Sequence, residues 1–116
     1  MKLEPMKKNP LKLNPLQLKT LTLFQELARH PDTSTPQENG AVVLTHLPQP
    51  HGNHFHVGSR AVATRDASGL SNQAVWTALE RKGMIIGSFP YAVTLTPDGL
   101  SYETGLRDEI LHGSDH

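Results

Sequence analysis

Apolar residues first recur at helical spacing in residues 14–30. Leu18, Leu21, Phe24 and Leu27 follow one another three apart, and Leu16 and Leu23 widen the stripe. Asn14 before Pro15 marks the start, because asparagine caps open N–H groups and proline needs no hydrogen bond in the first helical position. The helix is expected to stop near His30, ahead of Pro31. Residues 31–40 are rich in Pro, Ser, Thr, Asn and Gly and read as a loop. Residues 41–47 form a β-type run, 48–53 a turn and 54–57 a returning strand. The pattern predicts a hairpin inserted after the first helix.

Residues 60–68 then read as a second helix, capped by Ser59, with Val62, Ala63 and Ala67 on a small buried face. Gly69 is expected to end it at positive φ. Ser71 is the expected cap of a third helix, 71–82, with Val75, Ala78 and Leu79 inward. Lys82-Gly83 closes that helix with a cation at the negative end of the dipole and a left-handed glycine. Residues 84–86 start a strand, 87–90 turn, and Tyr91, Val93 and Leu95 face inward on the return. Thr96-Pro97-Asp98 opens a last helix carrying Leu100, Leu106 and Ile110, weakened by Gly105. The division expected is a flexible basic arm at 1–13, one domain at 14–112 and a disordered tail at 113–116.

With 116 residues and 36% apolar content, the chain supports one modest core. It has no cysteine, which excludes disulfides and thiolate metal sites. No apolar run approaches the roughly 20 residues of a membrane span, and the N-terminus lacks a signal-peptide core. A soluble, cytoplasmic protein is expected. The formal charge is zero, with 11 Lys and Arg against 11 Asp and Glu. That balance counts against nucleic acid, where phosphate neutralisation supplies much of the affinity. The charge is nevertheless bipolar: Lys2, Lys7, Lys8, Lys12, Lys19 and Arg29 crowd the first residues, and acids crowd the last.

The succession Gly69-Leu70-Ser71, Val75, Leu79, Lys82-Gly83-Met84-Ile85, Leu95-Thr96 and Gly99 resembles winged helix-turn-helix regulators of the MarR-like and replication-initiator-like kind. The resemblance runs from Gly58 to Gly99. It implies an α+β winged helix-turn-helix, here with an inserted β-hairpin after the first helix and a C-terminal helix. It implies further a small DNA-binding transcriptional regulator, a homodimer, that reads the major groove of double-stranded DNA with helix 71–82. Asn72 and Gln73 suit adenine, Thr77 a phosphate or thymine methyl, and Trp76 a stacking contact or internal packing. Ser71 belongs to the same surface, and Arg60, Arg65, Arg81 and Lys82 are candidate phosphate contacts. Three departures stand out. Arg65 occupies a position where such motifs favour a small residue, residues 87–92 carry no Lys or Arg, and the insert is long. A protein-interaction module without DNA binding, using Trp76 or Phe89, is the alternative.

Four histidines, His46, His51, His54 and His56, fall within eleven residues. His54 and His56 share one side of a strand, and His46 is expected on the strand facing them. Such imidazoles suit Zn²⁺, Ni²⁺ or Cu²⁺, giving a metal-binding reading as a third class. The His-x-His pair is shared with cupin barrels, but no acid follows at a useful spacing and too few strands are predicted. The chain has no phosphate-cradling Gly-rich loop, nucleophile elbow or closely spaced acid pair, so no enzyme and no resident cofactor are expected.

Overall fold

The computed structural model describes residues 9–57 and 60–113, with backbone alone for Pro50, His51 and Gly113. Helix α1 spans Pro15–Ala28. Asn14 caps it as expected: its side chain accepts from the Gln17 N–H at 2.8 Å, and Gln17 Oε1 accepts from the Asn14 N–H at 2.9 Å. Leu21, Leu23, Phe24 and Leu27 are all buried. Strands β1 (Ser34–Pro36), β2 (Val42–Leu44), β3 (Pro50–His51), β4 (His54–Val57) and β5 (Arg60–Ala63) follow. Two 3-10 turns, Thr64–Asp66 and Ser68–Ser71, lead into α2 (Gln73–Arg81). Then come β6 (Ile85–Ser88), β7 (Ala92–Leu95), α3 (Pro97–Ser101), α4 (Arg107–Ile110) and β8 (His112–Gly113).

The chain is α+β, with two antiparallel sheets ordered β1-β2-β7-β6 and β3-β4-β5-β8. Leu44, Ile85, Val93 and Leu95 from the first sheet, and Phe55, Val57 and Val62 from the second, join α1 in one core. The hairpin expected between 41–47 and 54–57 does not form. β2 pairs with β1 and β7, while β4 pairs with β3 and β5. Part of the expected 31–40 loop is therefore strand β1.

Residues 60–68 are not a helix. Arg60–Ala63 is extended, in register with β4, and Val62 lies opposite Phe55 on the core side. Alanine favours helices, but pairing with a neighbouring strand and burial of Val62 override that local preference. The helix-turn-helix expected over 59–83 thus lacks its first α-helix, and 3-10 turns stand there instead. Lys19 Nζ ties these turns to α1 through Asp66 Oδ1 at 2.8 Å. Gly69 is not at positive φ. Its reason is proximity, since a Cβ there would collide with Thr20 Oγ1 on α1. The expected cap Ser59, with Gly58, lies outside the described residues.

Tyr91, expected inside, is 82% exposed, because β7 begins one residue later and Tyr91 belongs to the turn. The last helix divides in two around Gly105, at φ +74°. Residues 9–13 lie against α3 and its following turn: Leu13 is buried, and Tyr102 Oη accepts from the Leu11 N–H at 3.0 Å and donates to Asn9 Oδ1 at 2.7 Å. Lys2, Lys7 and Lys8 of the expected arm, and residues 114–116 of the expected tail, lie outside the described residues. No described helix is long and apolar enough to cross a membrane.

Candidate nucleic-acid interface

Helix α2 starts at Asn72, not at Ser71. The preceding 3-10 turn runs through Ser71, and Asn72 is the first extended residue after it. Its side-chain oxygen accepts from Ala74 N at 3.0 Å and Val75 N at 3.4 Å. The end is as expected: Gly83 stands at φ +80°, Gly83 N donates to Glu80 O and Met84 N to Leu79 O, both at 3.0 Å. That pair of bonds is a Schellman stop, which needs a left-handed residue.

The inner stripe of α2 is Val75, Trp76 and Leu79. Trp76 is 2% exposed and is withdrawn from the contact set expected for it. Its ring lies edge-on to Phe24 at 5.5 Å and to Phe89 at 4.9 Å. Gly87 on β6 makes room for it, since a Cβ there would stand 3.1 Å from Trp76 Cε3. The outer stripe is Gln73, Thr77 and Arg81, four residues apart, flanked by Ala74 and Glu80, and all are exposed. Behind it, a groove of about 130 Å³ runs between α2 and the β6–β7 hairpin, lined by Gln73, Trp76, Thr77, Glu80, Gly87 and Phe89.

The cations divide. Arg81 and Arg65 are exposed. Lys82 donates to Leu11 O at 3.0 Å, and Arg60 is half-buried and donates to Leu111 O at 3.2 Å. Ser71 is exposed, its hydroxyl 3.4 Å from Ser68 O. The hairpin offers apolar surface in place of charge, with Ile86 61% and Tyr91 82% exposed.

The histidines do not gather as expected. β2 and β4 belong to different sheets, so His46 does not face His54; its Nδ1 lies 3.1 Å from Thr45 Oγ1. His54 and His56 do converge, with Nε2 atoms 3.2 Å apart. β3 brings the His51 backbone into register with His54.

Sequence reasoning missed one charged centre. Glu26 is buried on α1, and Arg107 grips it with Nε at 2.9 Å and Nη2 at 3.4 Å. Arg29 and His30 approach the same carboxylate at 3.5 and 3.4 Å. Burial pushes this carboxyl up, but hydrogen bonds and charge from Arg107, then His30 and Arg29, outweigh it and hold it below the ordinary range. An acid among the buried positions of α1 was the available signal; nothing in sequence points to Arg107 as its partner. Comparison of the chain with family models, curated proteins and solved structures returned no match.

Proposed function

We propose that this domain is a winged-helix variant that binds double-stranded DNA through α2, as a small regulator. The observation that carries the reading is the exposed stripe Gln73, Thr77 and Arg81 on a capped helix backed by the β6–β7 hairpin. The pairing of β2 with the returning hairpin strand β7 supports it, with five short strands and two 3-10 turns standing between α1 and α2. In this variant the usual helix before the recognition helix is reduced to 3-10 turns.

Gln73 offers the amide that pairs with adenine, and Thr77 a methyl and hydroxyl for a thymine or a phosphate. Arg81 and Arg65 supply phosphate contacts. Asn72 spends its carbonyl on the cap, and Trp76 supports the helix from inside. With Arg81 the exposed cation on the outer stripe of α2 and zero net charge over the chain, binding is of low charge demand and depends on salt only shallowly.

The test is fluorescence anisotropy with a selected duplex pool and with random duplex at 50 mM salt. Gln73→Ala weakens binding to the selected sequence about tenfold, while Arg81→Ala weakens both and lowers the salt slope by about one. Absence of duplex binding at that salt, or binding indifferent to Gln73, Thr77 and Arg81, overturns the reading. A protein partner or a second copy is the other reading, favoured by the exposed Ile86 and Tyr91 on the hairpin. It is recognised by self-association or partner binding that Ile86→Lys abolishes and Arg81→Ala leaves intact.

A further inference from the structure

The outer face of the second sheet carries histidines that DNA binding does not use. Directly paired residues on antiparallel strands project to the same side. The register pairs His54 with Ala63 and His56 with Ala61. Ala61 pairs in turn with His112 on β8. One face therefore holds His54, His56 and His112 around Ala61, while Phe55, Val57 and Val62 face the core. Ala61, small and itself buried, is the β5 residue between His56 on β4 and His112 on β8. His56 and His112 are exposed and His54 is half-buried.

Two of the three imidazoles already have ligand spacing. His54 Nε2 and His56 Nε2 are 3.2 Å apart, with the rings edge-on at 4.7 Å. Two nitrogens bound tetrahedrally to one zinc at about 2.0–2.1 Å stand about 3.3 Å from each other. Asn53 sets the tautomer of the first. Its Oδ1, 3.3 Å from His54 Nδ1, can only accept, so Nδ1 carries the proton and Nε2 presents a lone pair. An outer hydrogen bond of this kind is what orients a metal-binding imidazole. In the metal-free protein the His56 Nε2–H donates to that lone pair.

We propose that His54, His56 and His112 bind one cation of the zinc class across β4, β5 and β8. Nitrogen ligands suit zinc, nickel and copper over magnesium or calcium. Among the described residues no three such side chains stand assembled around a metal position. The His54–His56 pair is the preformed half, and His112 swings over Ala61 to complete it. On binding, the proton shared by His54 and His56 moves to His56 Nδ1, and the cation takes its place. The bound ion clips the last described strand to the insert.

The test uses the untagged full chain, stripped of metal and titrated with Zn²⁺ by calorimetry. Histidine ring nitrogens are followed in parallel by NMR. One equivalent binds, and the ring signals of His54, His56 and His112 move together, while Mg²⁺ moves none. His54→Ala/His56→Ala weakens binding at least about 100-fold, and His112→Ala or Asn53→Ala about 10- to 100-fold. Wild-type protein that takes up no zinc beyond the double variant, or affinity unchanged by His112→Ala, overturns the proposal. The wild-type NMR titration needs no variant to fold: ring signals of these three residues that stay still on zinc addition overturn it equally.

Discussion

Replacing Trp76 with alanine is expected to remove about 4–5 kcal/mol of folding stability. The ring is 2% exposed and its two edge-on partners, Phe24 and Phe89, come from α1 and from the end of the hairpin. Truncating a buried tryptophan costs about 3–5 kcal/mol, and loss of two aromatic pairs places this site in the upper part of that range. A domain of this size is stable by roughly 5–15 kcal/mol, so the variant stands near the edge of folding. Trp76→Phe behaves differently. It keeps an aromatic ring between Phe24 and Phe89, and it deletes an indole N–H that is buried with no partner among the described residues. Relief of that polar burial offsets part of the smaller void, and a net loss of about 1 kcal/mol is expected. Urea unfolding followed by circular dichroism measures both, since the variants lack the chain's single tryptophan. A loss under about 1.5 kcal/mol for alanine, or equal losses for alanine and phenylalanine, refutes the placement of this ring. Trp76→Phe also leaves duplex affinity unchanged, because the side chain supports α2 from within.

The Glu26 carboxyl is held below its ordinary value in the folded chain, so its contribution is full above about pH 5 and fades as pH falls through the folded value. Glu26→Gln therefore costs about 1–2 kcal/mol at pH 7, discounted for the partly exposed Arg107, and flattens the loss of stability as pH falls below about 5 in urea melts. Gly99→Ala is expected to cost at least about 2–3 kcal/mol, since the added Cβ meets the Met84 carbonyl oxygen, which Thr96 also binds; thermal unfolding reports it. Asn14→Ala and Asn72→Ala each cost about 1 kcal/mol through lost caps, and only the second is expected to change duplex affinity, by fraying the start of α2; chemical denaturation and anisotropy separate the two effects.

Elements marked by local chemistry were legible in the sequence. Asn14-Pro15, Thr96-Pro97 and Lys82-Gly83 each place a boundary because the capping interaction is made within a few residues. The inward stripe Val75, Leu79 followed from spacing alone. What was not legible depends on partners far along the chain. Arg60–Ala63 is a strand because β4 lies on one side of it and β8 on the other, and no window around residue 60 contains β8. β2 lies between β1, just before it in the chain, and β7, some fifty residues later, and does not pair with β4. Gly69 and Gly99 were recognised as glycine positions, but their cause is a neighbour, Thr20 in one case and Met84 in the other. His46, His51, His54 and His56 cluster in sequence, but strand order puts His112, not His46, on the face of His54 and His56, and no window around residue 54 contains it.

Pairing of β8 with β5 has a consequence for anyone wishing to trim this molecule. Residues 48–63 look like an ornament that could be excised to leave a minimal module. They are instead the docking edge for the last described strand, with Arg60 reaching back to the Leu111 carbonyl. Excision would strand Ile110 and Leu111, both buried, beside a missing neighbour. The ornament and the last described strand form one interlocked piece, to be kept together or removed together.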